Sequence, residues 1–147
     1  MIGIAASGSP DLRRDRTRSI PLERFSPLAD RARLVLVQQD TRPGDTAWLT
    51  ANPGRMTTFE GFVDFDDSAA LVECLDLVVT VDTALAHLAG ALGKPTWILL
   101  GPDADWRWLR EREDSPWYPT VRLFRRARDE SWDRVMERVV GDIDALQ

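Results

Sequence analysis

The stretch VTVDTALAHLAGALGKPTWILLG, residues 79–101, contains two apolar runs with a helical pattern between them. Asp82 and Thr83 separate the first run from the helix, and Gly93-Lys94-Pro95 separates the helix from the second run. A buried strand, a helix and a second buried strand in this order predict a βαβ unit with parallel strands. The chain's single histidine, His87, lies about one turn into the predicted helix.

The same alternation of apolar runs and helical patterns extends along the whole chain. It predicts an α/β fold built on a mostly parallel sheet. The predicted strands are residues 2–6, 33–38, part of 56–63, 77–81, 96–100 and 121–124, and the predicted helices are 21–30, 45–50, 66–76, 83–92 and 131–146. In the last helix, Trp132, Val135, Met136, Val139, Val140 and Ile143 share one face, as expected for packing against the sheet.

Length and composition exclude several classes of protein. The chain has 147 residues, of which 44% are hydrophobic, so we expect one domain with a substantial core. No apolar run approaches the roughly 18–20 residues that span a bilayer, and the N-terminus has no signal-peptide pattern. A net charge of −5 disfavours general nucleic-acid binding, and one cysteine with one histidine disfavours structural zinc. Cys74 alone forms no internal disulfide, which fits a cytoplasmic protein.

The start of the helix after residue 81 is the candidate binding site. Ligands of parallel α/β sheets bind beyond the carboxyl ends of the strands, and free N–H groups at a helix N-terminus suit phosphate. Asp82 or Thr83 is expected to cap this helix. Thr83 and His87 are i and i+4, hence neighbours on one flank. His87 is therefore either a donor to a diphosphate or a boundary histidine bonded to a nearby carbonyl.

At about 100° per residue, the helix is expected to bury one apolar face against the sheet. That face comprises Ala84, Leu85, Leu88, Ala91 and Leu92.

Other clusters leave two interpretations open. Arg13, Arg14, Arg16 and Arg18 form either a site for a small anion or a solvated loop. The two D-x-D triplets, residues 64–66 and 103–105, are potential Mg²⁺ ligands, but the first is more typical of a helix cap. Trp106, Trp108, Trp117 and Tyr118 either pack structurally or stack on a sugar or base. Neither G-x-G-x-x-G nor a P-loop motif occurs, which disfavours dinucleotide enzymes and P-loop ATPases.

The segment VDTALAHLAGALGKP, residues 81–95, resembles the D-[ST]-x-x-x-H-L-A-x-A-L-G-x-P signature of the family 9 glycosyltransferases, the heptosyltransferase-like enzymes. IGIAASGSP at the N-terminus resembles the opening of their nucleotide-sugar-binding half. DWRWLREREDSPWYPTVRLFR, residues 105–125, is similar to the tail of tetratricopeptide-repeat proteins that carry such a domain. The resemblance covers essentially residues 1–147. It implies a Rossmann-like, doubly wound sheet that forms the C-terminal, donor-binding half of a GT-B fold.

The resemblance also implies roles for particular residues. Asp82, Thr83 and Ala84 would meet the donor diphosphate at the helix N-terminus, with His87 and Arg18 beside it. Ser7 and Ser9 would lie at the cleft, and Gln39 and Phe62 would contact the ribose or base, although loop and core positions are the alternative for these last two. Ala6 departs from the pattern, because relatives have tryptophan there, and the missing ring is expected to open the pocket floor or change its packing.

Three functions remain open from the sequence. The first is a glycosyltransferase donor domain that binds a nucleotide diphosphate sugar without metal or other cofactor and requires an acceptor half, with inversion at the anomeric carbon. The second is a non-catalytic nucleotide-sugar or protein-binding module, because no general base is evident. A domain without its other half is also expected to self-associate or bind a partner protein. The third, an epimerase-like domain, has support from the fold alone.

Overall fold

The described residues form one parallel sheet with helices on both faces. The computed structural model describes residues 1–9, 15–59, 61, 62 and 64–146. The strands in this part of the chain are β1 (Ile2–Ala5), β2 (Leu34–Leu36), β3 (Thr57–Thr58), β4 (Leu77–Val81), β5 (Thr96–Leu100) and β6 (Val121–Arg125). Their order is β3-β2-β1-β4-β5-β6, and every adjacent pair is parallel. This is the strand order of a Rossmann fold, so the predicted sheet is confirmed.

The helices pack on the sheet in two layers. They are α1 (Asp15–Arg18), α2 (Pro43–Ala51), α3 (Phe65–Glu73), α4 (Ala84–Ala91) and α5 (Trp132–Asp144), with 3-10 segments at Leu22–Asp30 and Trp106–Trp108. Helix α5, the first 3-10 segment and α2 cover one face, and α3 and α4 cover the other. Within the described residues, no helix is long and apolar enough to cross a membrane.

The central strands are apolar on both sides because both faces are covered. In β4, Val79 and Val81 point to the α5 face, whereas Val78 packs on the α4 face. All five residues of β4 and all five of β5 are buried. This pattern is expected of parallel strands, whose side chains alternate between two helical layers. The predicted apolar face of α5 is also confirmed, with Val135 and Val139 fully buried.

Several predicted elements differ from those observed. Residues 22–30 form a 3-10 segment rather than an α-helix, and Pro27 lies inside it, where proline cannot donate an α-helical hydrogen bond. The Asp45 carboxylate accepts from the Leu22 N–H at 2.9 Å and holds the start of this segment. The third strand is only Thr57–Thr58, an exposed edge. Helix α3 is capped by Asp64, which accepts from the N–H groups of Asp66 and Asp67, so the cap interpretation of the 64–66 triplet is confirmed.

The predicted buried face of α4 is wrong in part. Leu85 is buried as expected, but its buried companions are Ala86, Ala89 and Gly90. Ala86, Ala89 and Gly90 face the sheet and the neighbouring aromatic side chains, whereas Ala84 and Ala91 are exposed. Leu88 lines a cleft instead, and Leu92 is exposed.

Candidate functional site

The candidate site lies where the connections of the sheet diverge. Strand β1 pairs with both β2 and β4, and the chain leaves β1 towards β2 but leaves β4 towards β5. This reversal opens a crevice at the carboxyl ends of β1 and β4, next to Ala5 and Thr80.

Helix α4 begins at this crevice without a side-chain cap. Thr83 is the N-cap residue, in extended backbone conformation, but its hydroxyl lies 3.2 Å from the hydroxyl of Thr80 and makes no cap hydrogen bond. The first turn carries no acidic residue. The N–H groups of Ala84 and Leu85 have no partner within the helix, so the helix end presents donors and a partial positive charge.

Arg18 places a guanidinium beside this helix end. It lies on α1, in the connection after β1, and its Nη1 donates to the backbone carbonyl of Asp82 at 3.0 Å. Gly8 leaves room for the guanidinium in this position, because a Cβ there would lie 2.6 Å from Nη2 of Arg18 and the end of the arginine side chain would have to shift. The Nη groups provide further N–H donors at the crevice, whereas Nε is buried on the side of Asp15.

A buried carboxylate holds the arginines in position. Asp15 is 5% exposed, forms ion pairs with Arg42 and Arg18, and accepts from the Ser19 hydroxyl at 2.8 Å. Burial alone would raise the pKa of Asp15. Hydrogen bonds from Arg42 and Ser19, together with the charges of Arg42 and Arg18, outweigh burial and hold its pKa below the ordinary value of 3.8.

The lowered pKa of Asp15 predicts a pH-dependent contribution to stability. The ionised group stabilises the fold above the unfolded-state pKa, and this contribution is lost as pH falls through the lower folded-state pKa. We expect Asp15→Asn to be less stable than wild type in denaturant at pH 7, with a difference that shrinks as the pH falls below 3.8. Asp144→Asn, in an exposed ion pair with Arg31, is the control and should change stability little. A difference for Asp15→Asn that is constant with pH would contradict this account.

His87 is held by two aromatic side chains. Its Nδ1 lies 3.0 Å from the hydroxyl of Tyr118, and its ring stacks on Trp108 with centroids 5.1 Å apart and an interplanar angle of 18°. The hydrogen-bond partner is thus a phenol rather than the carbonyl that the packing interpretation expected. The half-buried imidazole still lines the crevice.

The crevice consists of two clefts that share Arg18, Thr83 and Ala84. The first, here called the α4–β5 cleft, has a volume of 410 Å³. Its other lining residues are Thr17, Asp82, His87, Leu99, Leu100, Gly101, Asp103, Ala104, Asp105 and Arg107. The second, the β1–β2 cleft, has a volume of 550 Å³ and includes Ser7, Ser9, Gln38, Gln39, Asp64, Phe65 and Leu88.

Most residues that the sequence selected lie at these clefts. The α4–β5 cleft contains Arg18, Asp82, Thr83, Ala84 and His87, and the β1–β2 cleft adds Ser7, Ser9 and Gln39. Phe62 is the exception among the described candidates. It packs edge-on against Phe59, with ring centroids 4.9 Å apart, and contacts the apolar cluster under α3.

Other sequence features have structural roles. Ala6 is fully buried in the main core, so its methyl group does not form a pocket floor. Asp103 pairs with Arg128, and Asp105 caps the N–H of Arg107 at 3.0 Å. No group of three potential metal ligands is assembled by the residues that the structure describes. Of the arginine run, Arg13 and Arg14 lie outside those residues, as does the Arg16 side chain.

The four aromatic residues of segment 106–118 differ in burial, so structural packing accounts for some of them and leaves others open to stacking on a ligand. Trp108 is fully buried, whereas Trp106 and Trp117 are 71% and 57% exposed. Tyr118 is half-buried against α4.

Sequence reasoning missed the role of Gln38 and the contact between Tyr118 and His87, and both shape the site. The Gln38 side-chain oxygen accepts from the N–H of Ala6 at 2.8 Å, and its amide donates to the carbonyl of Asp40 at 2.9 Å. It thereby ties the ends of β1 and β2 together. Tyr118 reaches His87 from 31 residues away. The sequence signal that could have identified Gln38 is its place directly after a buried strand, where a polar side chain can bond to the end of the neighbouring strand.

The fold and site define a Rossmann-like α/β domain with an uncapped helix N-terminus at its switch point. The model of glycosyltransferase family 9 (heptosyltransferase) matches residues 24–143. The chain belongs to this family.

Solved structures agree on the fold. The chain is similar to ADP-heptose LPS heptosyltransferase II of E. coli, with a TM-score of 0.71 and 22% identity over 99% of this chain and 45% of that enzyme. It is also similar to E. coli heptosyltransferase WaaC, determined with ADP, with a TM-score of 0.66 and 18% identity over 98% of this chain and 43% of the other. The chain therefore matches one half of these two-part GT-B structures.

A third relative shares more sequence over a shorter region. Protein FlbA of Caulobacter vibrioides is 42% identical over 77 residues, which are 52% of this chain and 12% of FlbA. The chain thus spans a small part of that curated relative and less than half of the solved enzymes.

Proposed function

We propose that the chain binds the diphosphate of a nucleotide sugar at the N-terminus of α4, as the donor-binding domain of a glycosyltransferase. One observation carries this proposal: Arg18, the uncapped start of α4 and His87 converge on the α4–β5 cleft. Together they provide a full positive charge, free backbone donors and an imidazole. This combination suits a diphosphate better than a neutral ligand.

The same groups suit the chemistry of glycosyl transfer. Negative charge develops on the diphosphate as the sugar leaves, and fixed donors stabilise that charge without reorganisation. Arg18 and the helix end supply such donors, so the arrangement demands no metal. The carboxylate of Asp82 repels phosphate, and we assign it to a hydroxyl group of the donor. The family implies transfer with inversion at the anomeric carbon.

The β1–β2 cleft is proposed to hold the nucleoside. It adjoins the diphosphate position through the shared residues Arg18, Thr83 and Ala84. Ser7, Ser9 and Gln39 offer hydroxyl and amide groups to a ribose or base. Phe62 is left out of this proposal, because its packing under α3 fits the core position that the sequence left open for it.

Transfer requires an acceptor site, which we propose is supplied by a second half that faces the clefts. That half belongs to the same polypeptide, to another protein or to a further copy of the chain. The resemblance of residues 105–125 predicts that the domain belongs to a tetratricopeptide-repeat protein. E. coli WaaC binds ADP. We extend nucleotide binding to this chain on the basis of its own cleft. The base and the sugar are left to experiment.

Calorimetric titration of the purified chain with ADP, UDP, GDP and dTDP tests this proposal. One nucleoside diphosphate should bind, and the corresponding nucleoside, as matched control, should bind at least about tenfold more weakly, because it lacks the charge-assisted hydrogen bonds. Equal affinity of nucleoside and diphosphate would contradict the assigned phosphate position. An absence of binding by all four diphosphates to the folded chain would contradict donor binding.

A further inference from the structure

The histidine at the cleft is held by an aromatic group that lies outside the 81–95 motif. Tyr118 lies on the connection between β5 and β6, and its hydroxyl is 3.0 Å from Nδ1 of His87. Fully buried Trp108 stacks on the imidazole. The ring is therefore fixed in orientation with Nδ1 engaged. Nε2, which has no hydrogen-bond partner among the residues that the structure describes, is the ring nitrogen available to a ligand in the cleft.

Helix α4 is shaped to receive Tyr118. Gly90 lies three residues after His87, on the same flank of the helix. A Cβ at Gly90 would lie 2.6 Å from Cγ of Tyr118 and within 3.0 Å of two further ring atoms. Glycine is a poor helix former, yet here it is buried inside α4 and allows the tyrosine ring to lie directly on the helix. The close approach brings the phenol within reach of His87.

The chemistry of the two groups decides the direction of their hydrogen bond. A neutral imidazole has one N–H and one acceptor nitrogen, and the hydrogen bond made by one nitrogen determines which of them carries the proton. A phenol is a good donor and a weaker acceptor, whereas an unprotonated imidazole nitrogen is a strong acceptor. The favoured direction is therefore from the Tyr118 hydroxyl to Nδ1, and in that arrangement the proton stays on Nε2.

We propose that Tyr118 is a positioning residue that fixes His87 in its Nε2–H tautomer, as a hydrogen-bond donor to a phosphoryl oxygen in the α4–β5 cleft. This inference rests on the proposed diphosphate site. The opposite tautomer would present a lone pair to the phosphate and repel it. Tyr118 acts through His87 and needs no contact with the ligand itself.

A nuclear magnetic resonance experiment on the imidazole nitrogens tests the proposal, because His87 is the only histidine in the chain and gives an unambiguous signal. In the ¹⁵N-labelled wild-type chain at a pH where His87 is neutral, long-range ¹H–¹⁵N spectra should show a protonated Nε2 and an acceptor Nδ1. In Tyr118→Phe, which keeps the ring, the two tautomers should mix. Affinity for the nucleoside diphosphate that binds wild type should fall about two- to tenfold.

Thr50→Ala is the matched control, because it removes a hydroxyl that donates to the carbonyl of Thr46 on exposed helix α2. It should change neither the tautomer nor the affinity. A wild-type Nδ1–H tautomer would overturn the proposal, as would Tyr118→Phe with an unchanged tautomer or unchanged affinity. Failure of the proposed function would give a different result, because the wild-type chain would then bind no diphosphate. The tautomer measurement does not depend on that binding.

Discussion

Replacement of Trp108 by alanine is expected to lower the free energy of unfolding by about 3–5 kcal/mol, the cost of emptying a large buried aromatic site. Trp108 is fully buried in a cluster with Ile98 and Leu100 of β5 and with Val121 and Leu123 of β6. Its ring also supports the imidazole of His87. The substitution removes packing under α4 and one wall of the histidine environment, so ligand binding should weaken together with stability.

Two further variants, compared by chemical denaturation, test whether the loss of stability in Trp108→Ala comes from lost core packing. Trp106→Ala, in the same 3-10 segment but 71% exposed, should change stability by no more than about 0.5 kcal/mol. Trp108→Phe should cost less than Trp108→Ala. It keeps an aromatic ring and loses an indole N–H that has no hydrogen-bond partner among the described residues. Equal effects of Trp106→Ala and Trp108→Ala would contradict the assignment of Trp108 to the core.

Replacement of Arg18 by alanine is expected to weaken nucleoside diphosphate binding about 10- to 100-fold, the value of hydrogen bonds to a charged group. One N–H of the guanidinium donates to the carbonyl of Asp82, and in the proposed site other N–H groups donate to a phosphate. Arg18→Lys should give an intermediate loss, because lysine keeps the charge but not the planar fork. Calorimetry with the diphosphate selected above measures both.

Arg134→Ala controls for the loss of positive charge. Arg134 is 72% exposed on α5, where it pairs with Glu137, and neither cleft includes it. Its removal should leave the affinity for the diphosphate unchanged, because salt screens the long-range attraction between this exposed charge and the ligand. The thermal unfolding of Arg18→Ala should be measured alongside, since Arg18 also links α1 to the end of β4. Wild-type affinity in a folded Arg18→Ala variant would remove Arg18 from the proposed site.

Much of the fold could be predicted because it follows from local patterns. Strands β4 and β5 are short apolar runs buried on both faces, and α4 between them starts after two polar residues. The 3-10 segment and the buried face of α4 could not be predicted in the same way. In the first case Pro27 and the distant carboxylate of Asp45 decide the geometry. In the second, close packing favours Ala86 and Ala89 over the more hydrophobic Leu88 and Leu92.

The candidate site, like the fold, could be predicted only where local sequence patterns determine the structure. The position of Thr83 and His87 at one crevice follows from a motif at the end of a parallel strand, and Arg18 joins them from the connection after β1. The role of Tyr118 depends on how residues 101–120 fold back on α4, and no local pattern specifies that path. For Phe62 the resemblance implies a ribose or base contact and leaves a core position as the alternative, and its ring packs with Phe59 near a short edge strand.

The most direct test of the central claim is a crystal structure of the chain with the nucleoside diphosphate that binds it. We predict phosphate oxygens within hydrogen-bond distance of the Ala84 or Leu85 N–H group and of the Arg18 guanidinium, with Nε2 of His87 directed at the diphosphate. A diphosphate bound elsewhere on the molecule, with no contact to Arg18 or to the start of α4, would contradict the account.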